Sequence, residues 1–253
     1  QIASALIKVI ETPEKQNEYR KELLQHFDVD GSFQVFLLTC EGLDAMDTVE
    51  RKKLSYRIQV YLEDITHNAS FFYYNSDFVL VANAVPEEFL YQLIEGAIKR
   101  GERRMPELKL CVGVGSRCMD ISKLSVSYHR AKVAAHMAIV QKKRVIKFDE
   151  CGLFRLLYMV EDKGILKELE AECLAALEEH DRRYHANYVE TLHAYLKHNG
   201  SIQAVASEMY THRNTVLYRI GNIKKILGNE LKTPEERLPY HIAFYIREMQ
   251  GWI

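Results

Sequence analysis

The side chains best equipped for chemistry in this 253-residue chain lie between Ser201 and Gly228. His212, Arg213, Asn214 and Thr215 follow one another, with Tyr218 and Arg219 one helical turn on and Lys224 and Lys225 further along. This is not a catalytic set, because no nucleophile stands beside a base. It suits the reading of DNA. An Arg fork pairs with guanine O6 and N7, and an Asn amide with adenine N6 and N7. Thr, Tyr and the free N–H groups at a helix start can hold phosphates. The competing reading is a helical hairpin with a merely solvated polar face, the usual fate of such faces. Concentration of Arg, Asn and Thr in a single turn shifts the balance towards DNA.

Two helices joined by a tight turn would position that row. Ile202, Val205, Ala206 and Met209 recur at helical spacing, as do Val216, Ile220, Ile223 and Leu227. Ser201 is expected to cap the first helix and Thr211 the second, each offering an oxygen to unpaired first-turn N–H groups. Gly228 sits where a left-handed C-terminal cap belongs.

The run from Tyr188-Val-Glu-Thr-Leu-His-Ala-Tyr-Leu through His212-Arg-Asn-Thr-Val-Leu-Tyr-Arg-Ile resembles the C-terminal helix-turn-helix of PucR/CdaR-type transcriptional regulators. The resemblance covers about the last 70 residues and implies a further helix over roughly Pro234–Met249. It also implies that the helix starting near Thr211 enters the major groove of double-stranded DNA. The DNA-binding set is then His212, Arg213, Asn214, Thr215, Tyr218, Arg219 and Lys224. Proteins with this motif usually read two half-sites, so a homodimer is expected.

Composition sets the frame. Hydrophobic residues make up 47% and charged residues 27% of the chain, as in ordinary globular proteins. No apolar run approaches the roughly 20 residues that span a bilayer, and the N-terminus lacks the apolar core of a signal peptide. A cytoplasmic protein is expected. Gln1 in place of a start methionine suggests a piece of a longer protein, with a small-molecule effector acting through an upstream domain. The net charge of −1 is unevenly spread. From Asp181 onward ten Lys/Arg face seven Asp/Glu, whereas residues 1–180 hold 24 against 28. That asymmetry has the sign expected of a DNA-reading end.

Other chemistries find little support. Cys40, Cys111, Cys118, Cys151 and Cys173 form no CxxC pair and read as reduced, mostly buried thiols. His180, His185, His193 and His198 lack a completing Cys or carboxylate at ligand spacing, so no metal and no cofactor is expected. Gly113-Val-Gly115 lacks the third glycine of a dinucleotide loop and is read as a tight exit from a strand.

Upstream, residues 2–26 form an amphipathic helical stretch broken at Pro13, either a dimerisation helix or one packed on its own domain. A strand over Phe33–Thr39, a helix over Thr48–His67 and a hairpin over Ala69–Ala84 follow. Next come a helix over Glu87–Lys99, a strand over Leu108–Gly115, a helix over Ser122–Val140 and a strand over Arg144–Phe148. This is the split βαβ order, with helices expected on one sheet face. That order, with Gly113-Val-Gly-Ser and Ser127-Tyr-His-Arg-Ala-Lys, resembles the GGDEF-like domain of CdaR-type regulators. The resemblance implies a degenerate relic of the cyclase fold. The turn matching the cyclase signature, Tyr74-Asn75-Ser76-Asp77-Phe78, has no glycine pair and one acid. Glu41 and Asp44 offer no matched metal set.

The fold class is therefore α+β: a ferredoxin-like, degenerate GGDEF-like sheet domain followed by an all-α helix-turn-helix domain. The divisions are a lead-in over 1–30, the GGDEF-like domain over 31–150, a helical connector over 151–184 and the helix-turn-helix over 185–253. Within the connector, Glu168, Glu170, Glu172, Glu178 and Glu179 read as a solvated face, and the helix there is a candidate dimer element. The function expected is a non-enzymatic transcriptional regulator. The alternatives are a nucleotide-binding or cyclase-related enzyme acting through the first domain, where Asp77 would be the residue to test, and a pure protein-interaction module.

Overall fold

The computed structural model describes residues 2–43, 45–103 and 108–249, and Asp44 falls outside them. The chain divides into two compact units, Gln1–Arg155 and Leu156–Ile253.

The first unit is built on a five-stranded sheet of order β2-β3-β1-β4-β5. Its strands are β1 (Phe33–Thr39), β2 (Ala69–Tyr74), β3 (Asp77–Asn83), β4 (Cys111–Val114) and β5 (Val145–Lys147). Neighbours are antiparallel except β4 and β5. The helices are α1 (Ile2–Glu11), α2 (Gln16–Leu23), α3 (Thr48–Ile65), α4 (Glu87–Glu102) and α5 (Leu124–Val140), and a short 3-10 turn at Pro13–Lys15 separates the first two. The β2–β3 turn has positive φ at both Asn75 (47°) and Ser76 (69°). That is the two-residue geometry whose twist matches the flanking strands.

Helices cover both faces of this sheet, not one as the element order suggested. The reason lies in β1, which is apolar at successive positions and so has two inward sides. Phe36 and Leu38 pack in one core with Leu54 and Ile58 of α3 and Leu93 and Ile94 of α4. Phe33, Val35 and Leu37 pack in a second core with Leu6 and Val9 of α1 and Tyr128, Ala131 and Ala135 of α5. The N-terminal helix is thus packed on its own domain.

Gly113 and Gly115 have a role other than a turn. Neither has positive φ. A Cβ at Gly113 would come within 3.0 Å of Ala135 N and Ala131 O, and one at Gly115 within 3.0 Å of Ser127 O, all backbone atoms of α5. The glycines let a helix lie directly on the strand and its exit. Ser127 uses the closeness, its Oγ accepting a 3.0 Å hydrogen bond from Val35 N of β1.

The second unit is helical: α7 (Lys163–Tyr184), α8 (Tyr188–Lys197), α9 (Ile202–Glu208), α10 (Arg213–Leu227) and α11 (Pro234–Glu248), with α6 (Phe154–Met159) crossing the boundary between the units. Cys173, Leu174 and Leu177 of α7 share one core with Leu192, Val205, Val216, Ile220, Ile223 and Phe244. Ile165 near the start of α7 is exposed. The Asp181 carboxylate accepts from Tyr188 N at 2.6 Å and Val189 N at 3.0 Å, so α7 caps α8. Two glutamates read as solvated are partnered instead. Arg247 of α11 donates to Glu170 at 2.8 Å and to Glu178 at 2.6 Å, a pairing between residues some 70 positions apart that helical periodicity does not reveal.

All five cysteines are free. Burial raises every thiol pKa, to about 11 at Cys40 and Cys151. Among the described residues no helix is long and apolar enough to cross a membrane.

Candidate nucleic-acid interface

The helix pair α9–α10 stands on a floor of Val205, Ala206, Val216, Ile220 and Ile223, all buried. Ser201 caps α9 as its side-chain chemistry dictates, the Oγ accepting from Ala204 N at 3.4 Å. Between the helices the chain reverses over Met209–His212. Tyr210 takes a left-handed conformation (φ 49°), and Thr211 N reaches back to Ala206 O at 3.0 Å. A tyrosine in that conformation is uncommon, since its Cβ crowds the backbone.

The cap of α10 is His212, not Thr211. His212 is extended (φ −77°, ψ 142°), and its Nδ1 accepts from Asn214 N at 3.2 Å. An acceptor at Nδ1 requires the neutral imidazole tautomer with its proton on Nε2. Thr211 lies one residue too early, its own N–H already committed to α9. At the other end Gly228 adopts φ 60° and its N–H returns to Lys224 O, the expected left-handed cap.

The structure separates the candidate side chains. His212, Arg213 and Asn214 are exposed on the first turn, with Thr215 half-buried beside them. Tyr218 is 70% exposed. Arg219 and Lys224 do not join this row. Arg219 is half-buried and directs a guanidinium nitrogen to Thr191 Oγ1 of α8 at 3.5 Å. Lys224 is half-buried, 3.7 Å from the Glu230 carboxylate. Lys225 is the exposed cation of that turn.

A hollow of about 500 Å3 opens at the start of α10, lined by Gln203, Ala206, Ser207, Thr211, His212, Arg213 and Asn214. Its rim carries amide, hydroxyl, imidazole and guanidinium groups at the positive end of the α10 dipole. Gln203, Ser207 and Tyr210 escaped sequence reasoning. Tyr210 is 98% exposed at the turn between the helices. The signal was available: a large aromatic where a turn would favour Gly or Asn. Gly221 completes the outer stripe of α10, and a Cβ there would meet nothing within 4 Å.

In the first unit, Asp77 opens β3 and is not at the tip of the turn. Burial raises its carboxyl pKa above the ordinary value, opposed by the Lys132 charge and a hydrogen bond from Thr39. Those two groups engage the acid within the domain. Among the described residues no three His, Cys, Asp or Glu side chains gather as a metal site.

Comparison with known proteins places both units. Residues 18–137 match the GGDEF-like domain model and residues 188–246 the PucR C-terminal helix-turn-helix domain model. The chain is similar to three proteins of Bacillus subtilis. It is 28% identical over 123 residues to the proline-responsive transcriptional activator PutR, covering 47% of this chain and 30% of that protein. It is 24% identical over 168 residues to the DNA-binding transcriptional activator AdeR, covering 65% of this chain and 40% of that protein. It is 29% identical over 123 residues to the purine catabolism regulatory protein, covering 49% and 21% respectively. The chain thus spans less than half the length of each of these relatives.

Proposed function

We propose, for a chain that belongs to the PucR-type regulators through both its GGDEF-like domain and its C-terminal helix-turn-helix, that the helical unit binds double-stranded DNA with the first turn of α10 in the major groove. The observation that carries this reading is the exposed run His212-Arg213-Asn214 around a polar hollow at a helix N-terminus. Arg213 and Asn214 read base edges. Thr215, Tyr218, Tyr210 and Lys225 hold phosphates on either side. Arg219 and Lys224, partnered to Thr191 and Glu230, steady α10 and contribute background charge.

The protein acts in the cytoplasm as a transcriptional regulator and not as an enzyme, and it works as a homodimer that reads paired half-sites. The GGDEF-like domain serves dimerisation or signal relay. The turn Asn75-Ser76-Asp77, with no glycine pair and one acid, supports a non-catalytic role. A small-molecule effector acts through a region outside this chain.

The test is a titration of labelled genomic duplex DNA at increasing salt. Affinity should fall steeply and linearly on a logarithmic scale as counterions are released. Lys225→Ala should reduce that slope by about one unit while leaving sequence preference intact. A salt-insensitive association would contradict the assignment and favour a protein-interaction module.

A further inference from the structure

A second site lies in the first unit, on the outer side of the α3–α4 pair. Tyr56, Arg57 and Val60 of α3 face Arg100 of α4 and Arg103 just beyond it across a cleft of about 540 Å3. That volume falls within the range of small-ligand pockets. Three arginines therefore line one cleft. Among the described residues none of the three forms an ion pair, and Arg100 lies over the face of the Tyr61 ring at 5.7 Å. Two carboxylates of α4 are engaged elsewhere. Glu95 pairs with Lys99 at 3.5 Å, and Glu102 takes Arg144 and the Leu110 N–H.

Arg57 makes the arrangement unusual. Its Nη1 is shut off from solvent and has no hydrogen-bond acceptor among the described residues. Buried donors are almost always satisfied, and a charged one left unsatisfied is costly. Like charges converging without a counter-charge add to that cost. An anion in the cleft would supply the missing counter-charge.

We propose that this cleft binds a small phosphate-bearing anion, its oxygens held by the forks of Arg57, Arg100 and Arg103. Planar guanidinium groups match phosphate oxygens two at a time, and several oxygens are needed to serve three forks. Tyr56, 68% exposed, and Val60 offer an aromatic and an apolar flank for an organic remainder. The site is separate from the β2–β3 turn, where a cyclase would handle nucleotide, and it does not depend on the DNA reading.

The experiment is calorimetric titration of the full chain with inorganic pyrophosphate and, separately, with adenosine diphosphate, sodium chloride holding ionic strength constant. Saturable one-to-one binding is expected. Arg57→Gln and Arg100→Gln should each weaken it about tenfold or more, the loss expected for a charge-assisted hydrogen bond. Tighter binding of the diphosphate ester would identify an ester as the ligand, whereas equal affinities would point to the free anion. Without ligand, Arg57→Gln should melt no lower than wild type, because it removes an unsatisfied charge. Three results would overturn the proposal: no binding above the chloride background, affinity unchanged in both variants, or an Arg57→Gln protein that melts lower and so reveals a structural arginine. A self-association abolished by Arg57→Gln, with no anion bound, would likewise assign the cleft to a second copy.

Discussion

Replacing Gly113 by alanine adds one methyl group, yet it should be among the most damaging single changes in the first unit. The new Cβ would stand inside 3.0 Å of Ala135 N and Ala131 O. Both are backbone atoms of α5, so no side chain can swing away, and the helix must retreat by on the order of 1 Å. Overpacking a close-packed core costs about 1–3 kcal/mol, and a rigid obstacle puts this case at the upper end. Retreat would also stretch the Val35 N to Ser127 Oγ bond, 3.0 Å in the native protein, for about 1 kcal/mol more. A loss of about 3–4 kcal/mol lowers the melting of a unit this size by roughly 6–16 °C. Scanning calorimetry of the full chain can follow the two units separately. Gly221→Ala supplies the contrast. It sits on α10 with open space around it, and it should stabilise the helical unit by about 0.5–1 kcal/mol through helix propensity alone. A Gly113→Ala protein melting like wild type would refute the close-approach argument. It would also reopen the reading of Gly113-Val-Gly115 as a ligand loop.

The cap of α10 gives a second prediction: His212→Ala should cost the helical unit about 1 kcal/mol, and His212→Asn should restore most of it, as measured by denaturant unfolding. Thr211→Ala should leave that cap intact. A pH effect follows from His193, stacked on Phe244 at 4.5 Å, and from His241. Partial burial, with cations such as Lys197 and Arg237 nearby, holds both imidazoles below the ordinary 6.5. Between those lowered values and 6.5 the unfolded chain binds more protons, so the stability they contribute is complete above 6.5 and declines as pH falls through the window. The helical unit should melt lower at pH 5.5 than at pH 7.5, and a His193→Gln, His241→Gln double variant should flatten the difference.

Local rules of the chain carried much of this architecture. Ser201, Gly228, Pro13 and the Asn75-Ser76 turn act through a few neighbouring atoms, so their effects are legible from a short window of residues. The apolar stripes of α9 and α10 were legible for the same reason. Properties set by distant partners were not. The second face of the sheet is hidden because β1 is apolar on both sides, which periodicity cannot resolve. Gly113 looks like a turn glycine until α5 is seen lying against it. Arg219 falls on the edge of α10, where a small rotation decides between solvent and Thr191. Glu170 and Glu178 look solvated until Arg247 arrives from α11. Among the candidate site residues, the exposure of the first turn of α10 and of Tyr218 was readable from residue type and spacing. Tyr210 was passed over because turns are searched for Gly and Asn.

The arrangement divides labour between two cores. The sheet unit holds its one hairpin acid in internal contacts and presents an arginine cleft on its outer helices. The helical unit fixes α10 from below through Val216, Ile220 and Ile223, from the side through Arg219 and Thr191, and at its ends through His212 and Gly228. A helix held at so many points can present Arg213 and Asn214 in a constant geometry, which base reading requires.

The central claim is that the first turn of α10 reads bases. It is tested most directly by selecting bound duplexes from a random-sequence DNA pool with the wild-type chain and with Arg213→Ala. The account predicts that the wild type enriches a defined motif, and that Arg213→Ala binds about 1–3 kcal/mol more weakly with preference relaxed at one base position. An Arg213→Ala protein that enriches the same motif with undiminished strength would contradict it.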